Sequence, residues 1–217
     1  MKRSLRWIGL AVLAGAFVVV TGCNLFNAAP EADFDWSPNE PLARTEVEFE
    51  DTSTDEGGLF GSGGVISWDW DFDDGESASS RNPTHEFDKS GDYDVTLTVT
   101  DAGGKSATVE KTVPITASVA GTWRGYIVDN TGFANDMELV ITQSSTGGIQ
   151  GTCYMLGATL ACSDTSFDPE TKRVRFSLFD LGIRLDGTMD ASETRIEGDW
   201  WILGAPVNMW SWDVTLD

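Results

Sequence analysis

The sequence predicts an all-β protein in two parts: a β-sandwich, then an antiparallel up-and-down meander of about eight strands that closes, or nearly closes, into a small barrel. Three observations carry this. Apolar and polar residues alternate with period two in the first part. Turn-forming clusters such as Asp73-Asp74-Gly75 and Asp101-Ala102-Gly103-Gly104 separate the alternating runs. In the second part a glycine recurs inside strand-like segments, in Gly121-Thr122-Trp123, Gly151-Thr152-Cys153, Gly187-Thr188-Met189 and Gly198-Asp199-Trp200. No helical periodicity of useful length interrupts the pattern.

The first 22 residues stand outside it. Met1 to Arg6 is basic, and Trp7 to Val20 is an apolar run of 14 residues, short of the ~20 needed to span a bilayer. A basic start, a short apolar core and small residues before a break mark a secretory signal. Val20-Thr21-Gly22-Cys23 at its end resembles the bacterial lipobox. That resemblance implies cleavage before Cys23, a lipid on its thiol and a protein held to a membrane. Asn24 in place of the aspartate retention signal of enterobacteria favours the outer membrane or cell surface over the inner membrane. Residues 23–31 then form a short tether.

Removing Lys2, Arg3 and Arg6 leaves 11 basic residues against 35 acidic ones, a net charge of −24. Nucleic acid repels such a chain, so it is not an expected partner. A solubilising surface coat is the plainest reading of the charge.

Residues 32–116 carry the sandwich pattern. Val47 and Phe49, then Ile66, Trp68, Trp70 and Phe72, then Tyr93, Val95, Leu97 and Val99 are expected on inward faces. Asp69 and Asp71 are expected to face solvent. Ser67-Trp68-Asp69-Trp70-Asp71-Phe72-Asp73-Asp74-Gly75 is similar to the Trp-Asp-Phe-Gly-Asp-Gly signature of PKD (polycystic kidney disease) domains. Asn82-Pro83-Thr84-His85-Glu86-Phe87 and Gly91 to Asp101 follow at that family's spacing. The resemblance implies an immunoglobulin-like sandwich serving outside the cell as a spacer or contact module. It makes His85, the only histidine, structural. Asp73 stands where the family has glycine, so a turn with positive φ is expected there. Leu59 to Gly64 reads as an insertion. Some PKD domains of secreted enzymes bind calcium at positions matching Asp55 and Asp101, with Glu56 beside them. A structural Ca²⁺ is therefore an expectation, and no other cofactor is.

Residues 119–217 are expected to hold strands at 120–128, 137–143, 148–155, 159–163, 173–179, 183–189, 194–202 and 207–216. Glycine inside strands suggests tight bends or close packing, as in a strongly curled sheet. The layout resembles the lipocalin and avidin class of calycin barrels. Gly157-Ala158 as a hairpin turn would pair Cys153 with Cys162 at a non-hydrogen-bonded position, ~4.5 Å apart at Cα, and a disulfide is expected outside the cytoplasm. Trp123, Trp200, Trp201, Trp210 and Trp212 are the candidate ligand-binding residues. Trp200 and Trp201 must face opposite ways, and one set can line a binding surface while the other fills the core. Only residues around Thr116 to Ala120 separate the two parts, which should hold them fixed relative to one another.

One histidine excludes histidine triads and multi-histidine metal sites, and no phosphate-cradling loop precedes a helix. No catalytic residues are assigned. A hydrolase using paired carboxylates is a remote alternative. The expected function is non-catalytic: a lipid-anchored envelope or surface protein binding a protein, a glycan or a small ligand. The rivals are a ligand-carrying barrel, which requires a hollow interior, and a structural envelope component.

Overall fold

The computed structural model describes residues 28–56, 64–129, 131–144, 147–178, 181–202 and 210–217. The expectations for residues 1–22 and Cys23, and for most of the Leu59–Gly64 insertion, lie outside these. The described chain is all-β, with two separate apolar cores.

The first core lies between two sheets. One contains β1 (Phe34–Ser37), β2 (Glu46–Asp51) and β5 (Thr84–Glu86), in the order β1-β2-β5. The other contains β3 (Val65–Asp71), β4 (Ser77–Ala78), β6 (Gly91–Asp101) and β7 (Ser106–Ile115), in the order β4-β3-β6-β7. Alternate residues meet between them: Val47 and Phe49 from β2, Trp70 from β3, and Val95, Leu97 and Val99 from β6, all buried. Asp69 and Asp71 are exposed on the other face. Ile66 departs from the alternation and is 62% exposed. The β3–β6 register slips between Val65 and Ser67, and this bulge turns Ile66 outward while Val65 packs on the core.

Asp73 adopts φ 62° and Gly75 φ 93°. The side chains of Asp71 and Asp74 hold this turn by accepting from the backbone N–H groups of Asp73 and Glu76, at 3.0 and 2.9 Å. His85 is buried against it. Its ring stacks on Phe72 at 4.0 Å and meets Phe87 edge-on at 4.6 Å. His85 Nε2 lies 2.7 Å from Asp74 Oδ2. Its role is to tie the signature turn to the aromatic core.

The second core is enclosed by a closed antiparallel barrel. Its strands are β8 (Gly121–Val128), β9 (Ala134–Gln143), β10 (Ile149–Met155), β11 (Ala158–Asp168), β12 (Arg173–Leu178), β13 (Ile183–Met189), β14 (Arg195–Ile202) and β15 (Trp210–Leu216). Each pairs with its sequence neighbours, and β15 returns to β8. Leu139, Val174, Phe176, Leu185, Ile196 and Val214 meet inside with Trp123 and Trp212. An apolar interior and a charged outer wall are the reverse of a membrane-spanning barrel. No described helix is long and apolar enough to cross a membrane.

The strand glycines make this closure possible. A Cβ on Gly198 would lie 2.1 Å from the Asp186 carbonyl oxygen, and one on Gly125 would lie 1.9 Å from that of Asp213. A Cβ on Gly187 would lie 2.4 Å from Trp212 Cζ2. Gly187 and Gly198 are directly paired, with Trp212 opposite Gly198; the missing side chain of Gly187 clears the space the indole occupies, and that of Gly198 lets β13 and β14 approach closely.

The cysteine expectation is corrected. The β10–β11 turn is Leu156-Gly157, with φ 53° and 75°, the two positive values of a tight type I′ hairpin. The anticipated Gly157-Ala158 turn would need alanine in that conformation. The register therefore slips by one, pairing Cys153 with Leu160 and setting Cys162 beside Gly151, where a Cβ would lie 3.2 Å from the Cys162 sulfur. Both cysteines are free thiols. Burial pushes them up to about 12 for Cys153 and about 11 for Cys162, so they stay protonated and inert.

Candidate functional site

The barrel consumes most of its predicted binding residues. Trp123, Trp200 and Trp212 are buried, and each indole N–H donates to a backbone carbonyl: Val119 at 2.9 Å, Val128 at 2.9 Å and Asp199 at 3.2 Å. Trp210 begins β15, and its side chain lies outside the described set. Trp201, next to Trp200 and therefore on the opposite face, is half-buried on the outer wall. The Arg184 guanidinium carbon lies 5.8 Å from the centre of its ring.

Trp201 borders a groove of about 530 Å³ that runs over β12, β13 and β14. Arg173, Asp186, Thr188, Glu197 and Asp199 line it, and the backbone of Gly187 and Gly198 forms part of its surface. Strand pairing explains the grouping: Arg175 is opposite Asp186, Asp186 is opposite Asp199, and Thr188 is opposite Glu197. Asp186 anchors the set. It accepts from Arg173 Nε and Nη2 at 2.7 and 2.9 Å and from Arg175 Nε at 2.9 Å. Burial works against its charge, but the two guanidinium groups hold its carboxyl below the usual aspartate range. Sequence reasoning missed these residues. Their signal was present as charges at every second position, 173 and 175, 184 and 186, then 195, 197 and 199.

A catalytic acid in glycoside hydrolysis needs a raised pKa. Among the described residues every carboxylate with a resolved shift moves down, including Asp51, Asp186 and Glu193. At the far end of the sandwich, Gly64 connects Asp55 to the Asp101 turn: its N–H donates to Asp55 Oδ2 at 2.6 Å, and its carbonyl accepts from Ala102 at 3.2 Å. Asp101 is buried, and its Oδ1 accepts from the Lys105 N–H at 2.8 Å. Glu56 is exposed. These are hard oxygen donors of the kind calcium prefers, but among the described residues no three acidic, thiol or imidazole side chains converge on one point.

Charge also joins the two parts. The β13–β14 turn presents Glu193 at φ 61°, with no solvent exposure. Ser90 of the sandwich donates to it from backbone N–H and hydroxyl. Lys172 Nζ lies 2.8 Å away, and Arg44 Nη1 lies 3.7 Å away. Arg44 also donates to the Ser118 carbonyl. Burial opposes the Glu193 charge, but Lys172 and Ser90 outweigh it and hold the carboxyl below the usual range. Ala117 and Val119 of the connecting segment pack into the barrel core.

An all-β chain of a two-sheet sandwich followed by a closed eight-stranded antiparallel barrel is the class this fold defines. Residues 27–117 match the sequence model of the PKD domain, and this N-terminal unit is a PKD domain. It is 34% identical over 91 residues to a microbial collagenase of Vibrio alginolyticus, a match covering 42% of this chain and 11% of that protein. It is 37% identical over 82 residues to the pre-pro-metalloprotease PrtV of Vibrio cholerae serotype O1, covering 35% and 8%. The chain thus spans about a tenth of the length of these relatives. Among solved structures, the PKD1 domain of Vibrio anguillarum Epp is 32% identical, with 42% of this chain and 99% of that one covered and a TM-score of 0.37. A carbohydrate-binding module of the β-sandwich superfamily is 19% identical, with 88% and 85% covered and a TM-score of 0.38.

Proposed function

We propose that this chain is a non-catalytic, lipid-anchored protein of the cell envelope, held at the outer membrane or cell surface through Cys23. Its PKD domain sets the barrel off from the membrane, and the barrel's outer wall binds a hydroxyl-rich ligand, a glycan above all. The observation that carries the reading is the groove at Trp201. A half-buried indole beside a fixed donor (Arg173) and acceptors (Glu197, Asp199) offers a stacking surface and hydrogen bonds to one polyhydroxylated molecule. The packed interior argues against the ligand-carrying barrel.

Calorimetric titration of cell-envelope polysaccharides into residues 24–217 tests the groove. Binding that falls at least tenfold in Trp201→Ala and Asp199→Ala supports the reading. Equal binding by both variants, or none by the wild type, overturns it. Labelled-palmitate incorporation that disappears in Cys23→Ala tests the anchor. Calcium at the Asp55–Asp101 end is proposed on the donor set alone, and a thermal upshift with calcium that is lost in Asp55→Asn tests it.

A further inference from the structure

We propose that the groove at Trp201 takes an acidic glycan, a uronate-bearing oligosaccharide whose carboxylate sits on the outer edge of the Arg175 guanidinium. This rests on the glycan reading above and names the class of sugar. A second hollow, of about 340 Å³, lies beside the groove over β11 and β12. Ser166, Asp168, Thr171, Arg173 and Arg175 line it. Thr171 and Arg173 line both hollows, so the two meet and form one path across the wall from β11 to β14. The ends of that path differ in chemistry. At the Trp201 end, Glu197 and Asp199 accept hydrogen bonds, which suits sugar hydroxyls. At the β11–β12 end, the guanidinium groups and the hydroxyls of Ser166 and Thr171 offer donors, which suits an anion.

Arg175 is the pivotal group. Its Nε donates to Asp186 Oδ2 at 2.9 Å, which fixes the plane of the guanidinium. Among the described residues nothing bonds its Nη1 and Nη2. That leaves a rigid pair of N–H donors of the kind a carboxylate meets bidentately. Arg173 has less to give, because its Nε and Nη2 are both spent on Asp186, at 2.7 and 2.9 Å. Asp168 is turned to its own loop, where its Oδ1 accepts from the N–H groups of Glu170 and Thr171 at 3.0 and 3.2 Å. Charge favours an acid over a neutral sugar. Arg173 and Arg175 share the single carboxylate of Asp186. Arg44, Arg81, Arg124 and Arg195 each have a carboxylate partner. Arg184, beside the Trp201 ring, has none among the described residues. On a chain of strongly negative net charge, the wall around Asp186 therefore holds more guanidinium groups than it pairs, and a ligand carboxylate compensates them. Arg175 and Trp201 stand two strands apart, about 10 Å across the wall. That is farther than one sugar ring reaches, so the ligand has at least two linked units. The surrounding acidic surface repels a long polyanion, which makes short oligomers the fitting probe.

Both cores lie within residues 32–217, so a chain of residues 24–217 retains them without the lipidated cysteine. Calorimetric titration of that chain at physiological salt with trigalacturonate and trimannuronate, each against its methyl ester, is the test. The ester keeps the hydroxyls and removes the charge. At least one acid is expected to bind roughly tenfold or more tightly than its ester. Arg175→Ala is expected to abolish that preference, and Arg175→Lys, which keeps the charge without the fork, to lose most of it. Arg124→Ala removes a positive charge elsewhere on the wall and is expected to retain it. Trp201→Ala is expected to weaken acid and ester alike. Equal binding of acid and ester overturns the inference and leaves the glycan reading standing. A preference that survives both Arg175 variants overturns it, and so does one lost equally in Arg124→Ala, which would make the effect one of bulk charge. Binding of neither acid also overturns it, and the polysaccharide titration above then decides the glycan reading separately.

Discussion

In the sandwich, Phe34, Phe49, Trp70, Phe72 and Phe87 fill the gap between two sheets, ring against ring at centroid separations of 5.2–6.4 Å. In the barrel much of the corresponding work falls to aliphatic residues and to absent side chains: Trp212 fits because Gly187 leaves it room, and β13 and β14 approach closely because Gly198 has no Cβ. One core is specified by what is added and the other by what is removed. The surfaces differ too. Residues 28–117 carry 21 acidic and 5 basic residues, and like charges face each other across strands, Asp35 opposite Glu50 and Glu46 opposite Glu86, an unfavourable arrangement at low salt. The barrel instead neutralises its wall in cross-strand pairs, Arg173 with Asp186 and Arg195 with Asp213.

The contrast breaks most visibly at the glycines. Gly198→Val must displace the backbone of β13 and is expected to cost roughly 4 kcal/mol or prevent barrel closure. Near-UV circular dichroism of the barrel tryptophans should collapse while the PKD domain still folds. Removing the Glu193 side chain strands Arg44 and Lys172, and Glu193→Ala should cost about 3 kcal/mol. Calorimetry should then resolve two unfolding transitions in place of coupled ones. The same contact sets a pH dependence. Because Glu193 is held below its ordinary value of 4.5, its contribution is complete above that pH and disappears as pH falls through the folded-state value. Acid should therefore separate the transitions in the wild type and leave Glu193→Ala unchanged in that respect. In the sandwich, His85→Ala removes a stacked ring and the Asp74 contact, for about 2 kcal/mol, read in the PKD transition alone. Smallest is Asp186→Asn on the barrel wall, about 1 kcal/mol or less, with a larger effect on groove binding than on melting temperature.

How much of this was legible depended on the range of the interactions. Strand positions follow from alternation, and the eight barrel strands fall close to their expected places because period two is a local signal. The Asp73 turn was legible from the resemblance to the PKD signature, in which a glycine stands at that position. The bulge at Ile66 was not, since it depends on how β3 meets β6. The β10–β11 register turned on one residue, Leu156, whose positive φ a leucine does not advertise, and the cysteine pairing went with it. Of the five tryptophans, parity separated Trp200 from Trp201, but only closure decided which of them faced inward. Glu193 gave no sign of its role. It is an ordinary turn glutamate in sequence, and its partners Arg44 and Ser90 lie 149 and 103 residues away.

The Glu193 contact also determines how the molecule bears a load. The chain enters the sandwich at the end opposite the barrel, where Glu31 pairs with Thr54, so tension applied between Glu31 and the barrel runs lengthwise through both units. The contact lies in parallel with the short connecting segment and is its stiff element. Under rising force it should give way first, as one abrupt step. Residues 116–120 then extend by at most roughly 17 Å before either β-sheet unit carries the strain, making the joint a mechanical fuse ahead of both cores.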